Sequence, residues 1–215
     1  MESLEKKLLE LLESNQGERT IHNFLKHHNE LIIHAFNRAW NYRLCVPEFK
    51  LGSDFRSDFL ILSAHSGWWH AIFIELKDFN SKLYNKDETP SAALRKAQQQ
   101  VTDWDNWIKS NENYAKKELS KILKRHKAPA IVHSNSPSYR TGYPSGAAEI
   151  SDPDTYVSYH FHIVIGRSSS LSREERTRRA KDHNTWGGPE IATYDRFLHF
   201  AKMLDEAKSI KSNKL

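Results

Sequence analysis

Two apolar runs, "DFLIL" at 58–62 and "HAIFIELK" at 70–77, stand either side of the short link "SAHSGWW", which contains Gly67. Runs of that length around such a link predict an antiparallel hairpin. The second run carries a further constraint. Side chains alternate faces along a strand, so Glu75 and Lys77 project with Ala71 and Phe73, while Ile72, Ile74 and Leu76 take the other side. Removing ionised groups from water is costly, so a strand buried on both faces has no room for this pair in its middle. The pair therefore belongs at the strand's end, facing a cleft. Asp58 opens the neighbouring run and brings a second carboxylate.

Helical patterns surround the hairpin. "MESLEKKLLELLES" spaces leucines at 4, 8, 11 and 12, and after "SNQGE" a second helix, "ERTIHNFLKHHNELIIHAF", has Ile21, Phe24, Leu25, Leu31 and Ile32 on one side. "LCVPEFKLG" reads as a strand, with Pro47 either placing it near a sheet edge or leaving only its later half to form a ladder. "PSAALRKAQQQVTDWDNWIKS" reads as a helix with a Leu94, Ala97, Val101, Trp104, Ile108 stripe, and the helical pattern continues to about Arg125. "PAIVHS" (129–134) and "YHFHIVIG" (159–166) are predicted strands separated by a Ser-, Pro-, Gly- and Tyr-rich stretch. A basic helix (172–183), a short strand "EIAT" and a helix "YDRFLHFAKMLDEAK" follow. This order predicts an α/β or α+β sheet with helices on its faces.

The single cysteine, Cys45, excludes an intramolecular disulfide and suits a reducing compartment. With no signal-peptide pattern and no long apolar run, a cytoplasmic chain without membrane contact is expected. Net charge is +5, concentrated in two stretches. Lys109 to Lys127 holds seven Lys/Arg against Glu112 and Glu118, and Arg173 to Lys181 holds five against Glu174 and Glu175. Basic helices of this kind suit a nucleic-acid backbone, although each alone also reads as a solvated face.

Two carboxylates converging on one point repel unless a divalent cation joins them, and hard oxygen ligands suit Mg²⁺ with its retained waters. Asp58, then Glu75-x-Lys77 on the next strand, then a helix bearing glutamines resembles the PD-(D/E)xK nuclease superfamily. More specifically, "GSDFRSDFLIL", "IFIELKDF", "AQQQVTDWDNWI", "HIVIGRSSSLSREERTRRAKDHN" and "IATYDRFLHFAK" occur in the order seen in the nuclease domain of the Shedu family of bacterial anti-phage defence proteins. The match covers roughly residues 18–205. The resemblance implies an α/β fold of restriction-endonuclease-like core, a mixed central β-sheet flanked by helices. Residues 18–215 would form that domain and residues 1–17 an N-terminal helical extension. It implies a metal-dependent DNA endonuclease, with Mg²⁺ or Mn²⁺ held by Asp58 and Glu75, Lys77 as the catalytic lysine, and one of Gln98, Gln99 and Gln100 as the following glutamine. Against the apolar stripe of that helix, Gln99 points almost opposite, Gln98 lies near a right angle and Gln100 flanks it more closely, which selects Gln100. Ser57 stands where the superfamily's name has proline, and Asp54 is a competing first acid.

Other residues carry paired readings. Glu18 can reach a metal from the preceding helix, or close a capping box with Asn15, which the spacing favours. Lys116, Lys117, Lys121, Lys124, Arg167, Arg173 and Arg176 are the candidate DNA contacts. Arg167 divides evenly between a phosphate and the carboxylate of Asp195, and Thr193 is read as the N-cap of the last helix. His160 and His162 share a strand face at a spacing that can bind a transition metal, but no third ligand is evident and surface or DNA-facing histidines are the favoured reading. Trp104 reads as core, whereas Trp68 and Trp69 at the hairpin tip suit DNA stacking or the interface of a homo-oligomer. A regulatory partner is a further expectation. The alternative function is a non-catalytic nucleic-acid-binding module that keeps the nuclease fold, and RNA is not excluded as the substrate.

Overall fold

The structure, a computed structural model, describes residues 2–14, 16–37, 42–65, 68–126, 149–184 and 188–212. In chain order the elements are α1 (Leu4–Glu13), α2 (Glu18–His27), α3 (Asn29–Phe36), β1 (Tyr42–Leu51), β2 (Phe55–His65) and β3 (Trp68–Leu76). They continue with α4 (Ala92–Ser110), α5 (Glu112–Arg125), β4 (Val157–Val164), α6 (Arg173–Asn184), β5 (Glu190–Ala192) and α7 (Asp195–Ser212). The strands form one mixed sheet, in the order β1-β2-β3-β4-β5, with helices on its flanks.

The two hairpins run as the alternation requires. β1 pairs antiparallel with β2, and β2 with β3 through Phe59↔Ile74 to His65↔Trp68. Pro47 is tolerated because β1 is an edge strand. The remaining pairings are parallel. The amides of Trp69 and Lys77 donate to the carbonyls of Tyr156 (3.2 Å) and Val164 (2.8 Å), a constant offset that sets β3 and β4 in one direction. β4 then pairs parallel with β5. Parallel neighbours need long connections, which α4 with α5, and then α6, supply.

The chain divides into two compact units. One comprises Met1–Ala35, Glu75–Gln98 and His162–Leu215. In it α1 lies on α7, with Leu4, Leu8 and Leu12 buried and the Glu5 amide donating to Asp205 Oδ2 at 2.9 Å. Helix α1, which falls within residues 1–17, is thus packed on the last helix. Gly166 follows β4 at φ +64°, and a Cβ there would lie 2.5 Å from the Ser81 carbonyl oxygen, so only glycine allows that approach.

The other unit comprises Phe36–Ile74 and Gln99–Phe161. Its core is aromatic, with the Phe73 ring 6.1 Å from Phe49, 6.4 Å from Trp104 and 5.6 Å from Phe161. Cys45 is buried here, which pushes its thiol up to about 12 and leaves it a packing residue rather than a nucleophile.

Three expectations are corrected or fall outside the described residues. The helix predicted over 18–36 breaks at His28, whose amide turns back to the carbonyls of Phe24 (3.1 Å) and Leu25 (3.2 Å). The helical run to Arg125 is interrupted at Asn111. The strand predicted at 129–134 lies outside the described residues.

Candidate active site

Glu75 is the penultimate residue of β3, in a stretch buried from Ala71 to Leu76. Lys77 follows the strand directly, fixed by its amide bond to Val164. The Lys77 ammonium donates to Glu75 Oε1 at 2.5 Å, with side-chain exposures of 20% and 6%. The carboxylate is thus sunk and the ammonium faces outward. Apolar packing in place of such a pair is often neutral or stabilising, so stability alone does not call for charge at this strand end.

Asp58 is half-buried on β2, one residue before Phe59, and Phe59 pairs with Ile74, the residue before Glu75. Ser57 is fully buried. Asp54 lies in the exposed turn between β1 and β2 and accepts from Ser53 Oγ at 2.7 Å. On α4, Gln99 is exposed and donates to Asp103 Oδ1 at 2.8 Å, whereas Gln98 and Gln100 are half-buried. Glu18 is the exposed first residue of α2, and its N-cap is Gly17 at φ +81° with no side-chain cap. Asn15, the other half of the capping-box reading, lies outside the described residues.

Among the described residues no group of three His, Cys, Asp or Glu side chains is assembled, so a closed cage of the zinc type is not built here. Carboxylate oxygens are hard donors of the kind that Mg²⁺ takes while keeping several waters.

Several basic candidates are committed elsewhere. Lys116 is 4% exposed, with its ammonium donating to the Pro153 carbonyl at 2.9 Å and 3.2 Å from Glu112, so it is removed from the set of phosphate contacts. Lys121 pairs with Glu118 (2.6 Å) and Lys124 with Glu149 (3.3 Å), both on exposed surface, where partners exchange readily. Lys117, Arg173 and Arg176 are exposed. Arg167 resolves toward Asp195, at 3.2 Å. Burial disfavours the Asp195 charge, but the Ser168 amide and Arg167 outweigh it and hold the carboxyl below its usual range. α7 begins at Asp195, so Thr193 is not its cap; its hydroxyl accepts from Arg179 at 3.5 Å.

The strand histidines part company. His70 Nδ1 lies 3.1 Å from His160 Nε2, and Ser158 Oγ lies 3.0 Å from the same nitrogen. His162 is buried, and its Nδ1 is 3.1 Å from Glu190 Oε2, so it is not a surface histidine. Arg196 also donates to Glu190. Burial works against the Glu190 charge, yet His162 and Arg196 hold its carboxyl far below the ordinary value. Sequence reading missed this cluster because His162 and Glu190 meet only through the parallel β4–β5 register. Of the two hairpin tryptophans, Trp68 is exposed, 5.5 Å from the exposed Tyr156 ring, while Trp69 is buried.

A mixed sheet flanked by helices, with an acid-x-lysine pair ending its third strand, places the chain in the restriction-endonuclease-like α/β class. The family described as Shedu protein SduA, C-terminal, matches residues 15–198, and the chain belongs to it. Among curated proteins nothing matches the chain. Among the described residues no helix is long and apolar enough to cross a membrane.

Proposed function

We propose that this chain is a metal-dependent endonuclease that hydrolyses DNA phosphodiester bonds in anti-phage defence. The observation that carries the reading is the Glu75–Lys77 pair, a sunken carboxylate with an outward ammonium 2.5 Å away at a strand end. Membership of the Shedu family supports the defence setting. In this reading Asp58 and Glu75 hold Mg²⁺, Mn²⁺ can replace it, and Glu18 is a further oxygen donor from α2. The bound ion supplies Lewis acidity toward the phosphoryl oxygens and lowers the pKa of a bound water. Lys77 orients the attacking water by hydrogen bonding from Nζ and sets positive charge beside the phosphoryl oxygens as negative charge builds on them. Lys117, Lys121, Lys124, Arg173 and Arg176 contact backbone phosphates without reading sequence.

Gln100 orients the water or Lys77. Gln100→Ala is expected to slow cleavage by about 10- to 100-fold, the usual effect of losing an orienting partner. Gln99, which faces solvent and is bonded to Asp103, is expected to leave the rate within about twofold when replaced by alanine. Should Gln98→Ala carry the loss instead, the assignment moves by half a turn of helix.

The direct test incubates supercoiled and linear DNA with the purified chain in Mg²⁺ or in EDTA, beside Glu75→Ala. Nicked or cut products in Mg²⁺ alone, absent with Glu75→Ala, are expected. DNA that is bound but left intact in both Mg²⁺ and Mn²⁺ would support the non-catalytic binding module instead.

A further inference from the structure

The chain leaves the candidate site through the segment Asp78–Pro90, which has no helix or strand yet is tied down along its length. The Asp78 carboxylate accepts the Asn80 amide at 2.8 Å, and the Asp78 carbonyl accepts those of Ser81 at 3.0 Å and Gly166 at 3.3 Å. Leu83 and Tyr84 are buried, and the Leu83 carbonyl accepts the Ser91 amide at 2.8 Å. Asn85 and Thr89 are joined through the backbone at 2.8 Å and through their side chains at 3.0 Å. Glu88 is held at φ +63°, a conformation that a non-glycine residue adopts at a cost, and its carboxylate lies 3.6 Å from Arg178 of α6. The Arg178 guanidinium is 5.3 Å from the Tyr84 ring centroid. Strained backbone fixed this firmly in a long connection is a sign of a binding loop.

Between this loop and the segment leading into α6 is an open cleft of about 380 Å³ lined by Lys82, Tyr84, Asn85, Lys86, Ser170 and Glu175. Its lining carries two lysines against one carboxylate. Glu175 is occupied in a capping box, accepting the Ser172 amide at 2.7 Å while its own amide donates to Ser172 Oγ at 3.2 Å. The Asn85 amide donates to Thr89 and to the Pro90 carbonyl, and the Ser170 hydroxyl to the Arg167 carbonyl. Lys82 and Lys86 are exposed, and among the described residues neither meets a carboxylate. Tyr84, at 2% exposed, offers no face on which a base can stack. The lining thus suits phosphate and sugar and not a base.

We propose that this cleft seats the backbone of one DNA strand, with Lys82 and Lys86 each on a phosphate, and that it carries the strand away from Lys77. The proposal rests on the nuclease reading and adds two phosphate-binding lysines that lie outside the basic helices.

The test measures duplex binding by the whole chain in EDTA over a range of salt concentrations, for wild type and the Lys82→Ala/Lys86→Ala double variant. Affinity is expected to fall more than about tenfold at 0.1 M salt. The slope of log K against log salt should become shallower by about 1.8, near 0.9 for each phosphate that is no longer neutralised. Lys82→Arg/Lys86→Arg should keep the wild-type slope, and Lys7→Ala/Lys202→Ala, exposed lysines on α1 and α7, should not change it. An unchanged slope in the alanine pair overturns the cleft, and if wild type still cuts in Mg²⁺ the nuclease reading survives that result. A wild type that neither binds nor cuts DNA removes both.

Discussion

Lys77→Met is expected to lower Mg²⁺-dependent cleavage by about 10²- to 10⁴-fold, the range spanned by general acid–base groups and preorganised charge donors. The same substitution has a second, separable consequence. Lys77 is the close cation of a carboxylate that is only 6% exposed, and removing one partner of a buried pair takes away the charge that offsets the other's desolvation. Without metal, Lys77→Met should therefore unfold at a lower temperature than wild type, by an amount corresponding to a few kcal/mol. A divalent cation held at Glu75 replaces the missing charge, so added Mg²⁺ should raise the Tm of the variant more than that of wild type. Lys77→Met/Glu75→Gln, which removes the buried charge as well, should recover stability in EDTA while remaining inactive. Cleavage by Lys77→Met within about tenfold of wild type would take the lysine out of the chemistry. A variant that is inactive but gains no extra stability from Mg²⁺ would take the metal away from Glu75.

Local pattern and long-range pairing differ in how far they can be read from the chain. The hairpin was legible because apolar alternation and a glycine-bearing link are local, and its strands extend to His65 and from Trp68. The acid-lysine pair was legible for a related reason, since charge inside an apolar run has few places to go. The break at His28 was not, because apolar residues continue at helical spacing on both sides of it, from Ile21 and Leu25 to Leu31 and Ile32. Lys116 shows what counting charge leaves out. It lies three, four and seven residues before Leu119, Ser120 and Leu123, all buried, so it stands on the inward stripe of α5. Its ammonium is accommodated there by the Pro153 carbonyl, an acceptor distant in sequence. The lysines of the cleft, by contrast, sit in a segment with no period to read. What marks them is the cleft they share and the fixed loop beneath them, and both are properties of the folded chain.

Glu190→Gln is expected to cost about 3 kcal/mol at neutral pH, the scale for breaking a buried ion pair. Glu190 stands at the start of the short strand β5, opposite His162 in the parallel register, with its side chain 13% exposed. Glutamine keeps the shape but gives up the charge that faces both His162 and Arg196, and His162 is itself 2% exposed. The direction of the pH dependence follows from the depressed carboxyl. Its folded value lies far below the unfolded value near 4.3, so the stabilisation is fully present above that value and is lost as pH falls toward the folded one. Denaturant unfolding from pH 7 to pH 3 should therefore show wild-type stability decreasing below about pH 5, with a shallower decrease in Glu190→Gln, so that the two curves converge in acid. Parallel curves would mean that the cluster contributes no proton linkage. A neutral-pH loss below about 1 kcal/mol would mean that desolvation of Glu190 nearly cancels its attraction to His162 and Arg196. In that case the three-residue strand β5 must be held mainly by its pairing with β4 and by the burial of Ile191 and Ala192.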